Sequence, residues 1–231
     1  MLVIVPLVVI ASFFGKVKGG NFIYELCKIW ADAWLLLLGI HHINIFESKH
    51  DSTKQYVFVT NHISYMDIPV IMKAVPKQKF RVLGKSQLGS IPIFGFIFKK
   101  AAVSVDRKSP AHRANSLLVL KSIINKGISV FIFPEGTFNE THQPLKEFYN
   151  GAFKIAIETQ TPIKPILFLD AYDRLNYKSI FSLTPGRSRA VYLDETSTQD
   201  LTMEDVDTLK QKIFKQMEDA LIKYKASWIH H

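Results

Sequence analysis

His62 and Asp67 have side chains and a spacing that suit proton transfer. They lie in the segment 61–67, Asn-His-Ile-Ser-Tyr-Met-Asp, with four residues between them. A neutral imidazole can accept a proton from a hydroxyl, and a carboxylate on its other nitrogen would fix the tautomer and stabilise the imidazolium. The pair supplies two members of a catalytic triad, and the missing nucleophile could be the substrate's own hydroxyl. The alternative is a loop histidine and a helix-capping aspartate that never meet.

The flanking residues place His62 on a loop between a strand and a helix. Residues 56–60, Tyr-Val-Phe-Val-Thr, form an apolar run that is typical of a buried β-strand. Asp67-Ile68-Pro69 resembles the first turn of a helix, with an acidic cap and an early proline. Loops of this kind hold reactive side chains in α/β proteins.

A second motif, Pro134-Glu135-Gly136-Thr137, follows another apolar run at residues 128–133. The run predicts a buried strand, and the proline and the glycine end it sharply. A Gly-Thr turn at a strand end offers backbone N–H groups and a hydroxyl that can hold a phosphate or an oxyanion. The alternative is an ordinary turn closed by Thr137.

In this order and spacing, the two motifs resemble the 1-acylglycerol-3-phosphate O-acyltransferase family, the lysophosphatidic acid acyltransferases of phospholipid synthesis. The resemblance extends from about residue 43 to residue 169, more than half of the chain. Four further segments carry it. They are a lysine-containing segment with Pro and Gly (83–88 and 91–95), a strand ending in Asp-Arg (103–107), a Gly-Ala block (148–153) and a block with two prolines (161–166). Such an ordered series of blocks rarely arises by chance.

This resemblance implies that His62 is the general base of an acyltransferase and that Asp67 orients its imidazole. It also implies that Arg107 binds the phosphate of the acceptor, and that the second motif helps to form the acceptor and oxyanion pocket. The predicted substrate-binding residues are Lys85, Arg107, Glu135, Gly136 and Thr137.

Two positions depart from the family pattern, and both lose a cation. The family usually has Arg after its Glu-Gly-Thr, where this chain has Phe138, and Lys after the Phe of the Gly-Ala block, where Tyr149 stands. Arginine grips phosphate with two parallel hydrogen bonds, so these losses weaken the prediction of a phosphorylated acceptor. Lys85, Lys146 and Arg107 could supply the missing charge. Another lysolipid, such as a lyso-amino-acid lipid, is the alternative acceptor.

The composition suits an enzyme that works on lipid. The chain is 48% hydrophobic, contains 17 Phe and carries a net charge of +9, which favours an anionic membrane surface. No helix-turn-helix, RNP-like or zinc-finger pattern accompanies the charge, so nucleic acid is not a predicted partner. Cys27 is the only cysteine, and the histidine pairs at 41–42 and 230–231 lack a third ligand. We therefore expect no metal and no cofactor, with acyl-CoA or acyl-carrier protein as co-substrate.

The first 40 residues predict a membrane-embedded hairpin of two helices. Residues 1–14 are almost continuously apolar, residues 15–20 form a Gly-rich basic break, and residues 21–40 are a second apolar segment. The second segment carries three charges on one helical stripe, Glu25, Lys28 and Asp32. Neither segment is the uncharged span of ~20 residues that a bilayer crossing needs, so insertion into one leaflet is favoured, as the resemblance also implies. A single tilted span through 21–40 is the alternative, and a signal peptide is disfavoured because no basic n-region or Ala-x-Ala site is present.

From residue 41 onward, strand and helix signals alternate, as expected of an α/β fold. We predict one domain at 41–231, a mostly parallel mixed sheet flanked by helices, preceded by the hairpin at 1–40. Strands are predicted near 43–47, 56–60, 79–83, 102–105, 128–133, 163–168 and 189–193. Helices are predicted near 67–75, 92–99, 110–126, 150–160 and 203–226.

The sequence predicts a membrane-bound acyltransferase that moves a fatty acyl group from acyl-CoA or acyl-carrier protein to 1-acyl-glycerol-3-phosphate, forming phosphatidic acid. Its expected partners are the lipid bilayer, a lysophospholipid acceptor and the acyl donor. Its expected location is monotopic, on the cytoplasmic face of a membrane, the inner membrane in a bacterium. Two other classes stay open: a hydrolase in which water attacks the thioester, and a non-catalytic protein that binds lipid surfaces.

Overall fold

A seven-stranded sheet forms the centre of the computed structural model, which describes residues 2–105, 109–179 and 181–229. Its strands are β1 (Ile40–Phe46), β2 (Val57–Thr60), β3 (Phe80–Lys85), β4 (Val103–Val105), β5 (Ser129–Ile132), β6 (Ile163–Phe168) and β7 (Gly186–Tyr192). Their order across the sheet is β1-β7-β6-β2-β5-β3-β4. Neighbouring strands are parallel except β6 and β7, so β1 and β7 run against the other five. The predicted mostly parallel mixed sheet is confirmed, and each predicted strand corresponds to an observed one.

The described α-helices include all five that the sequence predicts beyond the hairpin. They are α1 (Val5–Ser12), α2 (Gly20–Leu37), α3 (Asp67–Ala74), α4 (Phe94–Ala101), α5 (Pro110–Ile124), α6 (Gly151–Glu158), α7 (Ala171–Arg174) and α8 (Val206–Lys223). The single-turn helix α7 was not predicted. α5, α6 and α8 pack beside one another against the sheet, whereas α2 packs against both α3 and α4.

The parallel strands bring three loops to one edge of the sheet. All residues of β2 and β5 are buried, which explains why these strands read as continuous apolar runs. β5 pairs in parallel with both β2 and β3, so the carboxyl ends of these strands lie at the same edge. His62 follows β2, Lys85 ends β3, and the turn from Pro134 follows β5. The fold therefore gathers His62, Lys85 and the turn from Pro134 from distant parts of the chain.

The N-terminal hairpin consists of α1 and α2, which are linked through a π-helical turn at Gly15–Gly19. The turn approaches α1 closely at Gly19, where an added Cβ would lie 2.2 Å from the carbonyl oxygen of Ala11. Val8 and Ala11 of α1 are fully buried and belong to the same apolar core as the sheet. Within the described ranges, none of the helices has both the length and the apolar character that a membrane crossing requires.

The polar stripe of α2 faces the sheet domain. Lys28 Nζ donates to Glu25 and to the carbonyl oxygen of Pro76, each at 2.8 Å. Asp32 pairs with Lys73 of α3. The helical spacing predicted for these charges is therefore confirmed, and their partners show that the stripe helps to dock α2 on the rest of the fold.

Arg81 joins the hairpin to the sheet from the inside. This β3 residue is 4% exposed, and its Nη2 donates to the carbonyl oxygens of Lys16 at 3.3 Å and Val17 at 3.1 Å, and to Asn21 Oδ1 at 2.9 Å. These oxygens offset part of the cost of burying the cation. Because hairpin and sheet share a core and this polar contact, residues 2–40 pack as a part of the fold. The predicted domain boundary at residue 40 stays a prediction.

Candidate active site

His62 and Asp67 meet at the carboxyl edge of the sheet. His62 Nδ1 lies 2.7 Å from Asp67 Oδ2. The Asp67 side chain is fully buried, whereas that of His62 is 21% exposed. A carboxylate beside Nδ1 favours the tautomer that carries its proton on this nitrogen, which leaves Nε2 able to accept one. This arrangement suits a general base.

The start of α3 explains how Asp67 reaches the histidine. Asp67 is the first residue of α3, and no side chain caps this helix. Asp67 Oδ2 instead accepts from the backbone N–H groups of Ile63 at 2.9 Å and Ser64 at 3.1 Å. The predicted helix start is confirmed, but the predicted acidic cap is wrong, because Met66 is the N-cap and the Asp67 side chain turns back to the loop. The alternative in which His62 and Asp67 never meet is also wrong.

Two phenylalanine rings hold the imidazole of His62. Phe133 stacks on it, with a centroid distance of 4.0 Å and an interplanar angle of 27°, and Phe138 approaches edge-on at 4.4 Å and 64°. Phe138 also contacts Tyr65 at 4.8 Å and Tyr177 at 6.4 Å. Sequence reasoning assigned Phe133 no role, and it marked Phe138 only as the residue that replaces the cation usual in the family. Phe138 thus places apolar surface where the family usually has a cation.

Glu135 links the two motifs through backbone hydrogen bonds. Its Oε1 accepts from the His62 N–H at 2.7 Å, and its Oε2 accepts from the Lys146 N–H at 2.8 Å. The residue is 2% exposed, and this burial raises the pKa of Glu135 to about 8, against the lowering effect of the two donors. Glu135 therefore holds the loops of the pocket together, and its predicted part in substrate binding stays a prediction.

Gly136 and Thr137 form the turn after β5. Gly136 has a φ of 73°, a left-handed conformation that glycine adopts without steric cost, and its N–H donates to the Phe133 carbonyl oxygen at 3.1 Å. Thr137 Oγ1 accepts from Lys146 Nζ at 2.6 Å. The amides of Thr137 and Phe138 donate to no backbone oxygen in the described part of the chain. They, rather than the amide of Gly136, are the candidate oxyanion donors.

An apolar cavity of about 250 Å³ connects His62 with the hairpin. Its polar lining includes His62, Lys85 and Thr137. Its apolar lining includes Cys27 and Trp30 of α2, Met72 of α3, Leu83 of β3 and Ile97 of α4. The cavity therefore joins a candidate base to a compartment that suits a long apolar chain.

The remaining predicted positions fall in different places. Arg107 lies outside the described residues, so its assignment as a phosphate ligand stays a prediction. Tyr149 is 64% exposed, and its N–H donates to the carbonyl oxygen of Pro134 at 2.9 Å. Cys27 is buried in α2, and this burial raises the pKa of its thiol to about 11. Among the described side chains, no three of His, Cys, Asp and Glu converge as metal ligands.

Two asparagines fix the loop that carries His62, and sequence reasoning missed both. Asn61 donates to the carbonyl oxygen of Phe168 at 3.0 Å and accepts from its N–H at 2.8 Å. The N–H of Asn139 donates to the carbonyl oxygen of His62 at 2.7 Å. The position of Asn61 beside His62 was the one available signal. These contacts tie the base to β6 and to the loop after β5.

Comparison with known proteins agrees with this geometry. A sequence model of the family described as Acyltransferase matches residues 42–169, more than half of the chain. The chain belongs to the acyltransferase family. The matched range contains both motifs and Lys85.

Named relatives of this acyltransferase include proteins from mouse and rapeseed. The mouse 1-acyl-sn-glycerol-3-phosphate acyltransferase alpha is 28% identical over 180 residues, which cover 78% of this chain and 60% of the mouse protein. A chloroplastic 1-acyl-sn-glycerol-3-phosphate acyltransferase of Brassica napus is 30% identical over 150 residues, which cover 64% of this chain and 43% of that protein. The chain thus spans about half the length of these relatives.

A solved structure shows the same fold. The crystal structure of the 1-acyl-sn-glycerophosphate (LPA) acyltransferase PlsC from Thermotoga maritima has a TM-score of 0.72 and 20% sequence identity to this chain. The superposition covers 97% of this chain and 90% of that one. The predicted α/β acyltransferase fold is therefore confirmed.

Proposed function

We propose that this chain transfers a fatty acyl group from acyl-CoA or acyl-carrier protein to the free hydroxyl of 1-acyl-glycerol-3-phosphate, forming phosphatidic acid. The observation that carries the proposal is the 2.7 Å contact between His62 and Asp67 at the wall of an apolar cavity. The names of the relatives support the acceptor.

The acceptor's hydroxyl is the nucleophile in this proposal. Nε2 of His62 takes its proton as the oxygen attacks the thioester carbonyl carbon, and Asp67 stabilises the imidazolium. The tetrahedral oxyanion then collapses, the carbon–sulfur bond breaks, and the leaving thiolate takes the proton back from His62. Amide donors of Thr137 and Phe138 would stabilise the oxyanion.

A covalent acyl-enzyme on Ser64 is disfavoured by the hydrogen bonds of its hydroxyl. Ser64 Oγ donates to the carbonyl oxygen of Leu175 and accepts from the N–H of Met66 at 2.9 Å. Its proton is therefore directed away from His62. Direct transfer between the two bound substrates needs no protein nucleophile.

The apolar cavity is the proposed site of the fatty chain. Each methylene buried there contributes about 0.8 kcal/mol of transfer free energy. A chain seated between α2, α3 and α4 would leave its carbonyl carbon toward the polar lining, where His62 and Thr137 stand. The cavity thus supplies affinity for the acyl group, and the carboxyl edge of the sheet supplies the reactive groups.

One observation favours a second acceptor class. Phe138 packs among His62, Tyr65 and Tyr177, so an aromatic surface borders the base on the side where a phosphate-binding cation is usual. A lysolipid without a phosphate monoester, such as a lyso-amino-acid lipid, would suit this surface. The rate of acyl transfer to such a lysolipid, compared with the rate of transfer to 1-acyl-glycerol-3-phosphate, decides between the two acceptors.

The proposed location is monotopic, on the membrane face exposed to the cytoplasmic acyl donor. The hairpin exposes large apolar side chains on both helices and their flanks, including Val3, Ile10, Phe13, Phe14, Phe22, Ile29, Leu36 and Leu37. Lys16 and Lys18 are exposed in the turn between the helices. Apolar surface beside lysines favours insertion into one leaflet that contains anionic lipid.

The decisive experiment is product analysis by mass spectrometry. The full chain in anionic vesicles is given acyl-CoA or acyl-carrier protein and, in separate reactions, 1-acyl-glycerol-3-phosphate, lysolipids without a phosphate monoester, or water alone. We expect thiol release that depends on the phosphorylated acceptor, with one phosphatidic acid formed per thiol. Thiol release with free fatty acid as the product would show a hydrolase, and no turnover would indicate a binding protein.

A further inference from the structure

Lys146 places an ammonium group at the turn after β5. Its Nζ donates to Thr137 Oγ1 at 2.6 Å and to the carbonyl oxygen of Phe138 at 3.5 Å. Its backbone N–H donates to Glu135 Oε2 at 2.8 Å. Both ends of the residue are therefore anchored to the second motif and the residue that follows it, which fixes the position of the charge.

Among the described residues, the Lys146 side chain forms no ion pair with a carboxylate. Several other lysines in the described part of the chain pair with a carboxylate, namely Lys28, Lys54, Lys73, Lys121, Lys210, Lys215 and Lys223. Lys146 Nζ instead has two uncharged oxygens as its hydrogen-bond partners in the described ranges. The closest acid of the motif, Glu135, is buried and already accepts two backbone hydrogen bonds. A net positive charge thus remains at this turn.

The two partners of Nζ border the cavity. Thr137 and Phe138 both line it, together with His62. A threonine hydroxyl can accept one hydrogen bond while donating another. Because Oγ1 accepts from the ammonium, its own proton is free to point toward an acceptor oxygen in the cavity, and the adjacent charge strengthens that bond. The pair therefore offers an anion a polarised hydroxyl with a cation beside it.

We propose that Lys146 and Thr137 bind the phosphate of the acceptor, with Lys146 supplying charge and the Thr137 hydroxyl donating a hydrogen bond. This inference rests on the proposed function, since it gives a phosphorylated acceptor its binding residues. It explains how the site retains a cation although Phe138 and Tyr149 occupy the positions where the family usually has one. Lys146 binds as a point charge without the fork of an arginine.

The first test removes the charge and keeps the aliphatic stem. Lys146→Met should raise the KM for 1-acyl-glycerol-3-phosphate about 10- to 100-fold, the range expected for losing one charged hydrogen bond to phosphate. The KM for the acyl donor should stay unchanged, and Lys146→Arg should recover most of the loss. Lys126→Met is the matched control, because this exposed lysine lies in the turn before β5, at the opposite edge of the sheet. It should leave both constants unchanged.

The second test measures binding without turnover. The probe is sn-glycerol 3-phosphate, titrated into the wild type and the same variants while melting temperature and affinity are recorded. We expect Lys146→Met to bind the probe about 10- to 100-fold more weakly than the wild type, and Thr137→Val to bind it more weakly as well.

Equal affinity for the probe in the wild type and Lys146→Met would overturn the inference even if phosphatidic acid is made. If the probe binds through Lys146 but the wild type makes no phosphatidic acid, the proposed function fails and the anion site stands. A lower melting temperature with equal shifts of both KM values would show that Lys146 only braces the loop.

Discussion

Asp67 Oδ2 accepts three hydrogen bonds, one from His62 Nδ1 and two from the backbone N–H groups of Ile63 and Ser64. The atom that orients the candidate base is therefore the atom that closes the loop on which this base stands. Its companion Oδ1 is buried without a hydrogen-bond partner among the described residues. Substitutions of Asp67 can therefore separate the effect of its negative charge on His62 from its effect on the loop geometry.

Asp67→Asn should lower kcat by roughly two to four orders of magnitude while the melting temperature changes little. The amide oxygen can replace Oδ2 toward all three donors, but the negative charge that stabilises the imidazolium is lost. Asp67→Ala leaves the buried donors unpaired and should lower both kcat and the melting temperature. Turnover near the wild-type value in Asp67→Asn would contradict the proposed role.

Because of Glu135, the free energy of unfolding should fall as the pH rises from about 7 to about 8. Its folded pKa of about 8 lies above the ordinary value, so the folded state keeps a proton that the unfolded state releases. This contribution is full below about pH 4.5, where both states hold the proton, and it is lost as the pH rises from there to about 8, by at most about 1.4 kcal/mol per pH unit. Burial lowers the pKa values of His42 and His50, so their effect has the opposite sign and lies below about pH 6.5.

The measurement is the free energy of unfolding by denaturant across this pH range. Glu135→Gln should flatten the slope, whereas Glu147→Gln, an exposed change in the same loop, should leave it intact. The same slope in all three proteins would show that Glu135 is ionised in the folded state.

Ala101→Phe should shift the chain-length preference toward shorter acyl donors. Ala101 lines the cavity from α4 and is 9% exposed, so a phenyl ring there would occupy space proposed for the fatty chain. Excluding two methylenes costs about 1.6 kcal/mol, which corresponds to more than a tenfold loss of kcat/KM for a long donor relative to a short one. Ala111→Phe, at an exposed position of α5, is the control. An unchanged preference would place the acyl chain elsewhere.

Replacing Phe13 and Phe14 with serine should weaken binding to anionic vesicles. These rings are 84% and 65% exposed at the end of α1, and burying them in lipid should contribute about 1.5–3 kcal/mol each. Phe181→Ser is a matched control, because this residue is 90% exposed but lies outside the hairpin. Equal vesicle binding of both variants, measured by sedimentation, would remove the hairpin as the membrane contact.

The strands and the His62–Asp67 pair follow from local signals in the sequence. The run at 56–60 is apolar at successive positions because β2 is covered on both faces, and the helix signal at Asp67-Ile68-Pro69 fixes where the loop ends. A loop this short leaves Asp67 near His62. The turn at 134–137 was predictable for the same reason, since Pro and Gly mark the end of β5.

The contacts that join distant elements had no comparable signal. Phe133 and Phe138 pack on His62 only because β2 and β5 are neighbours in the sheet, a pairing across 73 residues of chain. A cation such as Arg81 is ordinarily placed at the surface, and it is buried here because the hairpin turns carbonyl oxygens toward it. The contact of Lys146 with Thr137 likewise depends on how the loop 134–149 folds back on itself. These contacts depend on where the folded chain places each side chain, which the residue type alone does not reveal.

The most direct test of the account is the rate of phosphatidic acid formation by His62→Ala in anionic vesicles, measured by mass spectrometry together with thiol release. The wild type should form one phosphatidic acid per thiol released. His62→Ala should fold with a similar melting temperature, bind vesicles equally well and form the product roughly two to four orders of magnitude more slowly, because the imidazole that takes the acceptor's proton is missing. A folded His62→Ala protein that transfers acyl groups at a rate near that of the wild type would contradict the proposed mechanism.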